Sequence, residues 1–411
     1  KARKEEARKE EKGARAAKRA AAAATTEPPE LPIWAMGAFS ACFFLCGRLA
    51  AEQGFFHSEA EGRMHFVARL VFFLAGQAVS TQFFVVLLLQ LGRHLCGEGV
   101  APPGNSAPTL EEQAVHDPSI PWPDASLLSE ELKPYASSKG QPFWLNHVTG
   151  RRRCKDACMR VGMMLGSLAT VSFMCCWMDK RPLGELGLTL DPPFFREAGV
   201  GMCVGVAIVF FMFAVELLAG WLHFLQFFEV FDRSESFSSC IFWDVVFHLS
   251  VSLNEELPVR GWLLHNLADA LVAHQGLAHM TALVASMVGQ SVFFVLMHLS
   301  SPGGSRLLSM ANIFVGGVAG GLNVLCTGGR LGFSLGWHFG WNISMGNVFG
   351  LSTSGIPISA TFVAVAPHPE KEDLHGGVFG PEGGVVSPAA YSLGVLLLVL
   401  LYGVPSLGVV F

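Results

Sequence analysis

Val251-Ser252-Leu253-Asn254-Glu255-Glu256-Leu257-Pro258-Val259-Arg260-Gly261-Trp262-Leu263-Leu264 sets three ionisable side chains between apolar stretches, Phe242 to Leu253 before them and Gly261 to Leu264 after. At membrane depth each unpaired charge costs about 2.5 to 3.5 kcal/mol, so the three together would cost roughly 8 to 10 kcal/mol. They must therefore pair, face water, or do both. Helical spacing separates them. Glu256 and Arg260 are i,i+4 neighbours on one face and predict an ion pair. Glu255 lies about 100° around the helix and stays free to face a cavity. Pro258 removes its own N–H and displaces the carbonyl four residues back, that of Asn254, which predicts a kink beside Glu255. A broken helix at that depth is tolerated where it lines a protein-enclosed cavity.

Composition makes lipid the expected solvent. The chain has 411 residues, 51% hydrophobic and only 15% charged, against roughly 25% charged in soluble domains. Its apolar blocks are long enough to cross about 30 Å of hydrocarbon. The net charge of -5 argues against nucleic acid as a partner, and no P-loop or zinc-finger spacing occurs. Between Lys1 and Arg19 nine Lys/Arg face four Glu, a local +5, which leaves -10 for the remainder. The ten cysteines sit mostly in or beside apolar runs as small hydrophobes, with no disulfide framework expected. Cys154 and Cys158 are the one spaced pair in a polar stretch, and they lack a second ligand pair.

Along the chain, residues 1–30 read as a charged, Ala-rich tail, helical or disordered. The chain opens without Met, as a fragment or processed product would. Membrane helices are expected within 31–95, at Leu31 to Ala50 and Phe66 to Leu91. Residues 96–156 read as an extramembrane loop rich in Pro and Ser. There, Gly140 to Gly150 resembles the central hairpin of a WW domain, degenerate because Cys154 stands where the second Trp would be. Residues 157–411 complete the bundle, with blocks at Val161 to Met178, Val200 to Leu225, Ile241 to Leu253 continuing into Gly261 to Val272, Met280 to Leu299, Leu307 to Leu325, Phe333 to Leu351 and Ala390 to Val410. That is an all-α, polytopic transmembrane bundle with roughly eight or nine spanning helices. Between Asp269 and Glu370 the only Asp, Glu, Lys or Arg residues are Arg306 and Arg330. Uninterrupted apolar runs select helices over a barrel.

Two further polar sites stand in these low-charge segments. His298 lies near the end of one run, with Phe294 one turn before it to pack beneath it. His338 and Asn342 share a helix face, and both can donate to a developing oxyanion. The glutamates, His298 and His338 supply a base, a second proton-handling group and an electrophilic partner, a set suited to hydrolysis inside a membrane. Glu216, within Val200 to Leu225, reads as a paired buried acid or a substrate-path residue, the former favoured. The remaining histidines, such as His57, His248 and His265, show no partner spacing.

Glu255-Glu256-x-x-x-Arg260, then Phe294-x-x-x-His298, then His338-x-x-x-Asn342, in that order on successive membrane helices, resemble the CAAX protease and bacteriocin-processing family of intramembrane endopeptidases. The stretch Gly376 to Gly384 resembles a glycine-rich segment of bacterial and plastid members, so the resemblance spans about Ile241 to Val410. It implies that Glu255, helped by His298, activates a water, that His338 and Asn342 stabilise the oxyanion, and that Glu256, Arg260 and Phe294 support the site. It also implies a membrane-bound peptide or protein substrate, prenylated in the name-giving members, and membrane lipid as a partner. Pro258 departs from the bulky residues usual in the first motif. Glu255, His298 and His338 are candidate ligands for a divalent metal such as zinc, with an open fourth position. A metal-free glutamate mechanism fits equally, and the His-Glu-x-x-His motif is absent. Two rival readings stand beside the protease: a non-catalytic scaffold of the same fold, and a proton-coupled transporter. The expected location is a membrane, crossed several times; the sequence does not assign the organelle, the plastid and the endoplasmic reticulum both being compatible.

Overall fold

A computed structural model describes residues 33–52, 57–95, 150–230, 236–301, 303, 306–356 and 359–404. The charged tail at 1–30 and the WW-like hairpin lie outside these residues, apart from Gly150. The described chain is an all-α bundle. Its helices are α1 (Ile33–Glu52), α2 (Phe66–Leu95), α3 (Gly150–Phe173), α4 (Pro192–Leu218), α5 (Phe237–Glu256), α6 (Leu264–Gln275), α7 (His279–His298), α8 (Leu307–Cys326), α9 (Gly332–Ile343) and α10 (Ser387–Tyr402). Two small antiparallel sheets complete it, β1 (His57–Ser58) with β2 (Arg63–Met64) and β3 (Leu222–Val230) with β4 (Ala360–Pro367).

Among the described residues five helical stretches are long and apolar enough to cross a membrane: Phe66–Gly92, Cys154–Asp179, Pro192–Leu218, His279–His298 and Leu307–Cys326. They mark an integral membrane protein. Roughly eight or nine spans are expected from a 20-residue criterion, and several other described helices are shorter or more charged than these five. Helix α5 carries Asp244, Glu255 and Glu256, α9 has 12 residues and α10 has 16. Boundaries shift as well. Helix α3 already begins at Gly150, inside the expected loop, and the run expected to end at Leu225 stops at Leu218 and re-enters as β3. The aromatic residues of Leu222–Val230 favour a pleated ribbon, and pairing with β4 satisfies their backbone. Cys154 is disulfide-bonded, against the expectation of a chain without disulfides, while Cys158 is free.

Close helix packing comes from glycines at four-residue spacing, which let backbones approach where lipid supplies no hydrophobic drive between helices. Gly332, Gly336 and Gly340 line the face of α9 that meets α4, and Gly201 and Gly205 line the opposing face. A methyl on Gly336 would lie 1.9 Å from the Ala198 carbonyl oxygen, and one on Gly201 2.1 Å from that of Phe333. The same device joins α2 to α3, where a methyl on Gly166 would lie 2.5 Å from Thr81 Cα. At one end of the α4–α9 pair, Asp191 caps α4 by accepting from the Phe194 N–H at 2.9 Å. Arg330 pairs with Asp191 and donates to Glu197 at 2.9 Å. That guanidinium holds the Asp191 carboxyl down at about 2.

A buried ionic node fastens α2 to α6 and to the π-helical stretch Met174–Asp179 that follows α3. Arg69 is fully buried and pairs with Glu61, with Asn266 and with Asp179 at 2.7 Å. Asp179 also accepts from the Trp262 indole at 2.7 Å, and Trp262 stacks on Phe73 with centroids 4.1 Å apart. Trp262 lies two residues past Arg260, so this node fixes the far side of the polar motif.

Overpacking a close helix crossing costs about 1 to 3 kcal/mol or more. Gly336→Ala is therefore expected to lower the thermal unfolding midpoint in detergent, while Gly199→Ala, whose methyl would meet nothing within 4 Å, leaves it near wild type.

Candidate active site

At Pro258, where the sequence predicts a kink, helix α5 gives way to a different local register. It widens into a π-helical turn over Leu257–Leu263 and continues as α6. The Leu264 N–H donates to the Val259 carbonyl, five residues back. The wider register absorbs the proline ring and the missing N–H, and such turns often occur at functional sites. Both glutamates sit on the last α-helical turn before it.

Glu256 is the node of the site. Its Oε1 accepts from Arg260 at 3.1 Å and from His338 Nδ1 at 2.7 Å, and its Oε2 accepts from the Ser334 hydroxyl at 2.6 Å. The predicted i,i+4 pair thus forms, and α9 joins it through two side chains. Arg260 stacks over the Phe294 ring at 4.0 Å, and that ring lies 4.6 Å from the His298 ring. Phe294 therefore packs against both the cation and the histidine. A carboxylate on Nδ1 makes that nitrogen of His338 the protonated one, and the other ring nitrogen turns to the cavity. His298 is set likewise, its Nδ1 donating to the Phe294 carbonyl at 2.8 Å.

Glu255 receives what these bonds leave over. Its Oε2 stands 3.9 Å from His298 Nε2 and 3.9 Å from His338 Nε2. One water making hydrogen bonds of about 2.8 Å spans such a gap. Helix α3 supports the motif from outside, the Ser167 hydroxyl donating to Asn254 Oδ1 at 2.6 Å.

These side chains line one cavity of ≈470 Å³. Glu255, Glu256, His298, His338 and Asn342 all reach it, and Asn342 is buried. Asp156, Met159, Arg160 and Met163 of α3 form another part of its wall, with Ser354 and Glu382 from the C-terminal segments. The structure thus brings together every residue singled out in the three motifs. Sequence reading missed Ser334, although Ser334, His338 and Asn342 repeat at four-residue spacing on one face. It also missed Ser167, Glu382 and the α3 wall, which lie on distant segments. Glu216 is buried with no hydrogen-bond partner on either carboxylate oxygen among the described residues. The expectation of a paired acid is not met, and Glu216 does not line the cavity.

The metal candidates were tested on their spacing. A tetrahedral zinc site with bonds near 2.0 Å places its ligand atoms about 3.3 Å apart, and here both nitrogens are 3.9 Å from Glu255 Oε2. Among the described residues no group of three His, Cys, Asp or Glu is arranged to hold a metal ion. The three residues do not fit a preformed zinc site.

Fold and site together define an α-helical membrane protein with paired carboxylates and two histidines turned into one cavity of mixed polar and apolar lining. Residues 237–344 match the Rce1-like family, described as type II CAAX prenyl endopeptidase Rce1-like. The matched segment runs from α5 to the first residue of the π-turn that follows α9, and it contains all the residues of the three motifs. The likeness read from those motifs is therefore shown for this segment, and at family level it supports a CAAX-type intramembrane protease. The glycine-rich stretch at 376–384 lies outside it. No curated protein and no solved structure matches the chain.

Removing one partner of a buried ion pair strands the other at a cost of about 3 to 5 kcal/mol. Arg260→Met is expected to lower the unfolding midpoint strongly in detergent, read by a thermal melt of the purified protein.

Proposed function

We propose that the protein is an intramembrane endopeptidase that hydrolyses a peptide bond of a lipidated or membrane-bound substrate, prenylated substrates included. The observation that carries this reading is the position of the Glu255 carboxylate, 3.9 Å from the cavity-facing nitrogen of each of two oriented histidines. A water held between them gives its proton to Glu255 while its oxygen attacks the substrate carbonyl. His298 orients that water, its tautomer set by the Phe294 carbonyl. His338 donates from Nε2 to the developing oxyanion when its ring is doubly protonated, and Asn342, one turn further, donates through its amide. Collapse of the tetrahedral species breaks the C–N bond, and the proton taken by Glu255 passes to the leaving amine. Glu256 and Arg260 hold the histidine and the helix in place. The chain carries this chemistry in a membrane that it crosses several times.

Apolar and polar surfaces both line the cavity. Met159, Met163, Phe247 and Val251 offer a greasy wall beside the carboxylates, which suits a peptide presented from the bilayer.

Loss of a general base or its partner typically costs 10²- to 10⁴-fold in rate. In a cleavage assay on membrane-bound and farnesylated peptides, Glu255→Ala and His298→Ala are expected to fall by about that much while remaining folded, and chelator is expected to leave the wild-type rate unchanged. Chelator-sensitive cleavage contradicts the metal-free mechanism. A folded wild type that cleaves none of the panel favours the scaffold instead.

A further inference from the structure

Glu382 belongs to the glycine-rich stretch outside the matched segment, yet its carboxylate lies at the cavity and every oxygen on it is used. Oε1 accepts from the Trp341 indole N–H at 2.8 Å. Oε2 accepts from the Ser354 backbone N–H at 2.7 Å and from the Ser354 hydroxyl at 2.6 Å. Trp341 is the neighbour of Asn342 on α9. It is buried and stacks flat on Tyr391 of α10, with centroids 4.8 Å apart and planes within 3°. Ser354 sits in the turn Thr353–Ile356, which also lines the cavity.

That turn is held in a conformation it would not choose alone. Ser354 has φ +50°, a left-handed backbone that disfavours side-chain-bearing residues by roughly 1 kcal/mol or more. The contacts opposing this come from the glycine-rich stretch. The Gly355 N–H donates to the Phe379 carbonyl at 3.2 Å, and the Ser352 hydroxyl to the Val378 carbonyl at 2.7 Å. Gly380, at φ +91°, approaches so closely that a methyl on it would lie 2.0 Å from the Ser352 carbonyl oxygen. The stretch is itself anchored to α8, where the Asn312 amide donates to the Glu382 and Gly384 carbonyls at 2.9 and 2.8 Å. A chain of bonds therefore runs from α8 through Glu382 to the cavity turn and to the indole beside Asn342.

We infer that Glu382 is a positioning residue of this site, fixing the Thr353–Ile356 turn and Trp341 as a preformed wall against which a peptide substrate lies. The link to cleavage rests on the protease reading above, whereas the positioning itself does not. Glutamine at this position keeps the shape and one accepting oxygen, but its NH₂ cannot accept from an indole N–H or an amide N–H. Alanine removes all three bonds.

Two readouts on the full-length protein in detergent test this. Hydrogen exchange followed by mass spectrometry should show the Ser354 amide exchanging at least tenfold faster in Glu382→Ala, with Glu382→Gln in between and the α5 and α8 peptides unchanged. In the peptide cleavage assay both variants should raise KM more than they lower kcat, with Gln milder than Ala. Unchanged exchange at Ser354 in a folded Glu382→Gln or Glu382→Ala protein overturns the inference. So does faster exchange with KM and kcat both at wild-type values. If wild type cleaves nothing while exchange at Ser354 follows Glu382, the protease reading fails and the positioning stands.

Discussion

The buried Glu256 carboxylate is the constraint on which the rest of the site depends. A carboxylate taken out of water is costly unless its lone pairs are matched by charge and hydrogen bonds. Here Arg260, His338 and Ser334 supply them from two different helices. Satisfying one acid therefore docks α9 on the α5–α6 helix at a fixed register. The glycine stripe of α9 then decides how close α4 can come, and the opposite face of α9 turns His338 and Asn342 toward the cavity.

The neighbouring acid gains its availability from this arrangement. Glu255 and Glu256 differ by one residue, yet the 100° step between them puts one in a saturated node and the other at the cavity. Each histidine spends its Nδ1 on an acceptor, the Phe294 carbonyl or Glu256, and so offers Nε2 toward the same Glu255 oxygen. The π-turn at Pro258 carries the helix on into α6 with Arg260 within hydrogen-bond reach of Glu256. Trp262 and the Arg69–Asp179 pair then clamp the helix beyond the turn.

Much of this was legible in the sequence, for reasons particular to each residue. The Glu256–Arg260 pair follows from i,i+4 spacing, and the cost of intramembrane charge singles out the polar motifs. His298 with Phe294 and His338 with Asn342 lie one helical turn apart and converge as their spacing implies. What the sequence hid depends on distant segments. Ser167 reaches Asn254 from α3, Glu382 reaches Ser354 and Trp341 from a loop, and β3 pairs with a strand more than a hundred residues away. Local periodicity carries no information on such pairings. At Pro258 the helix takes a π-turn, a register that proline rules read from sequence alone do not specify. Helices such as α9 and α10, with 12 and 16 residues, read longer in the sequence because apolar turns flank them.

The division of labour between the two adjacent acids is most directly tested by comparing Glu255→Gln with Glu256→Gln, each measured for thermal unfolding in detergent and for peptide cleavage. The account predicts that Glu256→Gln lowers the unfolding midpoint, because its NH₂ confronts donors on His338, Arg260 or Ser334. It predicts that Glu255→Gln melts like wild type and cleaves about 10²- to 10⁴-fold more slowly. A Glu256→Gln protein as stable as wild type, or a Glu255→Gln protein that cleaves at the wild-type rate, would contradict it.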